Sequence, residues 1–285
     1  MSDLAEPGAT AARAGDATEA GGAASAPVRR EATAGAPISR LIHPRPVRRT
    51  GHAAGRQVVT LSCYRFASWT DRARQFLSMG ARPWMFRPLA GLGFAKMMGT
   101  GTGEGFDPAP DTAVWTILAA WEDAAAAHAG LRHPIFARRA ARATEACTLT
   151  LKPVTASGRW GGMAPFEPAT DASPEGEPIA VLTRGTIRPR AAMGFWRSVP
   201  AINRQIAADP GMSFRLGMGE VPLLHQVTFS VWRDLGAMRA FAYRGEGHRA
   251  AIRGVRAGDW FAEELYARFA VLSAGGRWRG RALSL

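Results

Sequence analysis

VWTILAAWED, Val114–Asp123, and VTFSVWRDL, Val227–Leu235, decide the fold of this sequence. Each is a β-branched and aromatic run that ends on Trp-x-Asp, as Trp121-Glu122-Asp123 and Trp232-Arg233-Asp234. Runs of that composition form strands, and the same run met twice is an internal repeat. Outward from these two stretches the order is kept. GTGEGF at Gly101–Phe106 precedes the first copy, as GMGEVP at Gly217–Pro222 precedes the second. HPIFARRAARATEACTLTL follows from His133, as HRAAIRGV follows from His248. Each half closes on the same tripeptide, Gly158-Arg159-Trp160 and Gly276-Arg277-Trp278.

Each copy spells β-α-β-β-α-β. The first has strand Val58–Phe66, helical material from Asp71 to Leu89 and a short strand ending near Gly99. Strand Ala113–Trp121, a helix in two pieces (Asp123–Ala129 and Pro134–Glu145) and strand Cys147–Pro153 complete it. The second has strand Ile179–Ile187, helix Ala191–Ala208, a short strand Ser213–Gly217 and strand Leu224–Trp232. Helices Leu235–Tyr243 and Arg249–Glu264 and strand Tyr266–Ser273 follow. This is the split-βαβ, ferredoxin-like order, with an antiparallel sheet and helices on one face. The other sheet face needs cover. The expected class is α+β: two tandem ferredoxin-like units packed as a dimeric-α/β-barrel-like pseudo-dimer. The expected boundaries are a disordered basic arm over 1–56, repeat 1 over 57–163, a linker over 164–178 and repeat 2 over 179–285. The arm is Ala/Gly-rich and then arginine-rich, without an apolar periodicity that could offset its ordering entropy. The linker is rich in Pro and acids.

Of 285 residues, 47% are hydrophobic, enough for a substantial core. No apolar run approaches the ~18 to 20 residues of a membrane span. The formal charge is +13, and Lys96 and Lys152 are the only lysines. Such a surface favours anionic partners. Nucleic acid is not expected among them. The RNA-recognition module shares this topology but reads bases from a basic, aromatic third strand, and here the third strands are the apolar WTILAAW and VTFSVW. Cys63 and Cys147 form no CxxC and sit in strands, which points to core positions and a reducing cytoplasm.

Six histidines are present. His133 precedes Pro134 and occupies an N-cap position with proline first in the helix. His248 holds the corresponding place in the second repeat. Ile252 and Val255 follow it at helical spacing, so it shares the stripe that faces the sheet. A neutral imidazole in an apolar cleft is a competent haem ligand, and a cap or a core histidine is the alternative. His225 starts a strand. GTGTGEGF, Gly99–Phe106, lacks the Gly-Lys-Ser/Thr of a phosphate-binding loop. No HExxH, GxSxG or paired-carboxylate arrangement is present.

FAKMMGTGTGEGF, VWTILAAW, GRWGGMAPFEP, GEVPLLHQVTFSVW and HRAAIRGVRAGDWFAEELYARF together resemble the spheroidene monooxygenase family, carotenoid ketolases of purple photosynthetic bacteria. The resemblance covers about Val58 to Gly280. It implies a haem b enzyme, unlike the cytochromes P450, that uses O2 and electrons from reduced ferredoxin. The reaction it implies converts acyclic carotenoids to 2-keto products through two oxygenations at one carbon. It makes His248 the foremost candidate iron ligand, with His225 and His133 behind it, and Arg184 and Arg215 candidates beside the oxygen. It also implies a cytoplasmic protein peripheral to the photosynthetic inner membrane, where the polyene resides. The arginines and the exposed Trp84, Met85 and Phe86 would then meet lipid. A non-catalytic haem- or lipid-binding barrel is the alternative function.

Overall fold

The computed structural model of the chain describes residues 55–80, 82–103, 107–169, 176–244 and 260–283. The first half contains β1 (Val58–Arg65), α1 (Trp69–Gly80), α2 (Arg82–Met85), β2 (Leu92–Gly101) and β3 (Pro110–Trp121). It continues through α3 (Ala124–Arg132), α4 (Pro134–Arg142) and β4 (Glu145–Gly158). The second contains β5 (Ile179–Ile187), a 3-10 turn (Pro189–Ala191), α5 (Ala192–Ala207), β6 (Met212–Gly219) and β7 (His225–Trp232). It ends with α6 (Leu235–Arg244), β8 (Phe261–Trp278) and the short β9 (Arg281–Ala282).

All strand pairings are antiparallel. The order β4-β1-β3-β2-β6-β7-β5-β8 closes through β4–β8 into an eight-stranded barrel carrying helices. The two seams differ. β4 and β8 pair from Cys147↔Gly276 to Gly158↔Leu265, whereas β2 and β6 pair only at Gly99↔Gly219 and Thr100↔Met218.

Strand alternation sends one side-chain set to the barrel interior and the other under the helices. The interior is filled. Leu61, Cys63, Met98, Leu118, Leu149 and Leu182 pack there with Phe214, Phe229, Leu265 and Phe269. Cys63 and Cys147 face each other across β1–β4. Their mutual hydrogen bond and burial push the Cys63 thiol up, which keeps it a protonated core group. Under the first-half helices lie Tyr64, Met97, Trp115, Ile117, Trp121 and Phe136. Under the second-half helices the described residues form a cluster of Ile179, Trp232 and Met238, with Val181, Met212, Leu235 and Phe241 packed against it.

The repeated motifs resolve into repeated backbone devices. Trp121 and Trp232 end β3 and β7, and the following aspartate caps the next helix. Asp123 Oδ1 accepts from Ala126 N at 2.9 Å, and Asp234 Oδ1 from Ala237 N at 2.7 Å. Both carboxyls are held below their ordinary value by those N–H groups. The same bulge falls between Leu92 and Phe94 in β2 and between Met212 and Phe214 in β6. In Gly-Arg-Trp, Gly158 has φ +98 and Gly276 φ +101, and the next strand passes so close that a Cβ would lie 2.1 and 2.2 Å from a backbone oxygen. Only glycine fits.

One expectation needs correction. Phe261–Glu264 were expected at the end of a helix but open β8, where Ile187 pairs Phe261 and Thr186 pairs Glu263. Sheet pairing overrides the helical propensity of Ala and Glu. Within the stretch expected as the linker, Phe166 is buried in the barrel core and packs edge-on to Phe269 at 5.0 Å.

Candidate functional site

Register assigns each candidate residue to a face. Arg184 lies opposite Val227, a barrel-interior residue, and Arg215 lies opposite Ser230, on the helix side. Arg215 donates to Asn203 O of α5 at 3.2 Å. The two arginines therefore occupy opposite faces of one sheet and cannot serve one site.

Arg184 belongs to a polar group at one end of the barrel. Its side chain is 3% exposed, pairs with Glu263 at 2.5 Å and lies 5.8 Å from the centre of the Trp160 ring. Glu263 also accepts from Gly161 N and Gly162 N at 2.7 Å each. Burial alone would raise the Glu263 carboxyl, but the two N–H groups and the Arg184 charge hold it below its ordinary value. Beside it, Glu220 accepts from Trp160 Nε1 at 2.6 Å and pairs with Lys96 at 2.9 Å. His225 Nδ1 lies 3.9 Å from Glu220. Burial, then the Arg184 charge, holds the imidazole below its ordinary value, so it is neutral near pH 7.

A counterpart at the other Gly-Arg-Trp explains much of this group. Arg65 pairs with Glu145 at 3.1 Å and sits 5.6 Å from the Trp278 ring centre, and Glu145 accepts from Gly280 N. Arg159 donates to Gly162 O and Arg277 to Gly280 O. The arginine and glutamate of each half thus latch the closing turn of the other half, against its tryptophan. In the second half the arginine stands one pleat deeper, since register aligns Arg65 with Thr186. A device made twice serves the architecture.

The helix side is where the halves part. Register pairs Tyr64 with Gly185, Met97 with Gly217, Ile117 with Thr228 and Trp115 with Gln226. Ala95 and Ala119 correspond to Arg215 and Ser230 in the same way. Large buried apolar side chains under the first-half helices thus become glycine, threonine or glutamine in the second. Thr183, Arg215, Thr228, Ser230 and Tyr266 are only half-buried there. Arg268 shares this face, opposite Val181, with Nε donating to Thr155 Oγ1 at 2.9 Å. Burial and then the Arg239 charge lower its affinity for its proton. Among the described residues this face of the sheet is therefore hydroxyl-bearing and cationic, with the Phe261 ring lying over Gly185.

Aromatic rings stand at one end of this layer. Phe195 of α5 meets Trp196, Trp260 and Phe261 edge-on at 5.3, 6.0 and 5.9 Å. Trp196 Nε1 donates to Leu223 O at 3.0 Å, and Leu223 holds the rare φ of +65. Val221 and Leu223 are exposed beside them.

Of the histidines, His133 caps α4, its Nδ1 accepting from Ile135 N at 3.3 Å, as its place before Pro134 led one to expect. His225 faces the barrel interior with Arg184. His248 lies outside the described residues. Among the described residues no cluster of three His, Cys, Asp or Glu stands ready for a metal ion. Gly185, Gly217, Thr228 and Arg268 were not singled out from the sequence. Comparing the two copies position by position would have found them.

No family model matches the chain. It is 46% identical over 190 residues to spheroidene monooxygenase of Rhodobacter capsulatus, covering 66% of this chain and 79% of that protein. It is 44% identical over 228 residues to spheroidene monooxygenase of Cereibacter sphaeroides, covering 79% and 70%. The protein of that name from Rubrivivax gelatinosus is 36% identical over 203 residues, covering 71% and 77%. A crystal structure of aldoxime dehydratase shares the fold at TM-score 0.50 and 12% identity, over 78% of this chain and 83% of that one. With such identity across more than two thirds of each of these relatives, the chain belongs to the spheroidene monooxygenase family.

Proposed function

We propose that the chain is a haem-dependent monooxygenase that introduces a keto group at C-2 of acyclic carotenoids of the spheroidene type. The observation that carries this is membership of the family, beside a second-half sheet whose helix side bears glycines, hydroxyls and arginines. The first half bears Tyr64, Met97, Trp115 and Ile117 at the corresponding positions, and the change of residue type suits the second to a ligand with polar edges. We read the halves as tandem ferredoxin-like units, a reading supported by the matching strand orders and bulges.

The residues of the layer fit haem b. Arg215 and Arg268 offer guanidinium groups to the porphyrin carboxylates. His248, four residues past the end of α6, would supply the imidazole that holds the iron. Bound there, haem supplies oxygen activation. The chain's part is to position and to exclude water. The Phe195, Trp196, Trp260 and Phe261 rings form an apolar mouth for the polyene end. Each round places one atom of O2 in a C–H bond, while two electrons delivered by reduced ferredoxin and two protons from solvent convert the other atom to water. A second round at the same carbon gives a gem-diol, which loses water to the ketone. No helix among the described residues is long and apolar enough to cross a membrane. The enzyme therefore works on a bilayer-resident substrate from the membrane surface.

Expression in cells that accumulate spheroidene tests the reaction: a 2-keto carotenoid is expected, and unchanged pigment would refute it. Hemin titration of the purified chain tests the cofactor. A Soret band is expected, and it should be lost in His248→Ala; an unchanged band in that variant would remove His248 as ligand.

A further inference from the structure

Helix α1 turns its polar stripe toward the protein and its apolar stripe outward. Gln75, on the inner side, is 2% exposed and accepts from Arg139 Nε at 2.8 Å. Arg72 Nε, also inward, donates to Phe66 O at 2.9 Å. Asp71 binds Arg74 at 2.5 Å and Arg142 at 3.2 Å. On the opposite side Trp69, Phe76 and Leu77 follow helical spacing and are 77%, 69% and 75% exposed. Trp84 of α2 adds a fourth large apolar side chain, 74% exposed, while Met85 and Phe86 pack on the first-half core. A surface helix ordinarily does the reverse, and a grouped apolar surface marks an interaction site. Because the inward stripe is committed to named hydrogen bonds, the outward one is fixed in place.

The charge beside it is mostly cationic, with Asp71 shared by Arg74 and Arg142. A groove of about 310 Å³ between α1 and α4 is lined by Arg74, Gln75, Ile135, Arg138, Arg139 and Arg142, with Pro134 and without an acid. Arg87 is exposed after α2. The whole chain carries +13.

We propose that α1 and α2 dock the protein on an anionic phospholipid bilayer. Trp69, Phe76, Leu77 and Trp84 enter the headgroup–acyl boundary, and the groove arginines take lipid phosphates. Apolar side chains flanked by cations are what such an interface recognises, and tryptophan favours that depth. A second copy of this chain would bring the same cationic groove against itself. The docking needs nothing from the haem assignment. It rests on the proposed function only for its purpose, reaching a substrate dissolved in the bilayer.

Vesicle flotation of the full chain is the test, with phosphatidylcholine alone or mixed with phosphatidylglycerol. Binding is expected to the mixed vesicles and to fall with added salt. Phe76→Ser with Leu77→Ser, and separately Arg87→Glu with Arg138→Glu, should each weaken it at least about tenfold, on the order of two or more lost contacts near 1 kcal/mol each. Circular dichroism should stay unchanged in both variants, since these side chains point outward. Absence of binding by the wild type, or equal binding by both variants, would overturn the proposal. So would a concentration-dependent dimer, without vesicle binding, that the serine variant abolishes. Ketone formation from detergent-dispersed carotenoid isolates the catalytic reading, which can then fail or stand separately.

Discussion

Arg184 and Arg215 lie on opposite faces of the second-half sheet, and they should respond oppositely to truncation. Arg184→Ala leaves Glu263 without its buried partner and removes the charge over Trp160. Glu263 is 24% exposed and keeps the Gly161 and Gly162 N–H groups, so the loss falls below that of a fully buried pair, about 1–3 kcal/mol, and denaturant melts should show it. Arg215→Ala removes a half-buried guanidinium from the helix side of the second-half sheet. It should change stability by less than about 1 kcal/mol, in the range of substitutions outside the core, while haem uptake and ketone formation fall. The two caps set a pH dependence. Asp123 and Asp234 have folded values below their unfolded ones, so their contribution is present above about pH 4 and is lost as pH falls through the lowered values. Thermal melts between neutral and acid pH should show Asp123→Asn, which keeps an acceptor, losing less stability than wild type as pH falls.

The elements show what the sequence could and could not disclose. Trp-x-Asp, His-Pro and Gly-Arg-Trp were legible because each encodes a local backbone event: a strand end with a cap, a helix start, a close crossing at positive φ. Gly158→Ala and Gly276→Ala should each cost more than about 3 kcal/mol, the range of severe steric lesions, because the clashing atom is backbone and cannot move aside. Equilibrium unfolding of either variant checks this. The start of β8 was not legible, since Phe261–Glu264 carry helix formers and only pairing with β5 makes them strand. Phe166 looked like part of a linker because its neighbours are prolines and acids, and burial of one ring depends on the barrel around it. Helix α1 was legible as a helix only. Its hydrophobic pattern points conventionally inward, and the inward hydrogen bonds of Asp71, Arg72 and Gln75 reverse it.

At the scale of the molecule, one repeat has been put to two uses. Both copies share strand order, bulges, caps and latched turns, so the barrel is a symmetric scaffold. The first copy fills the space under its helices and exposes an apolar, arginine-rimmed face. The second carries Gly185, Gly217, Thr228 and Ser230 at the corresponding sheet positions, with the Phe261 ring over Gly185. The site was hidden because strand alternation yields two side-chain sets and does not say which faces the barrel and which the helices. Only the closed sheet separates Arg184 and His225 from Arg215 and Arg268.

Returning first-half residues to the second half tests this division most directly. Gly217→Met with Thr228→Ile copies Met97 and Ile117 onto the helix side of the second-half sheet. Carotenoids would be measured in spheroidene-accumulating cells expressing wild type or the filled variant, with folding of each confirmed by thermal melting. The folded, filled variant should form no 2-keto carotenoid while the wild type does. A folded, filled variant that makes the ketone at the wild-type rate would place the chemistry elsewhere.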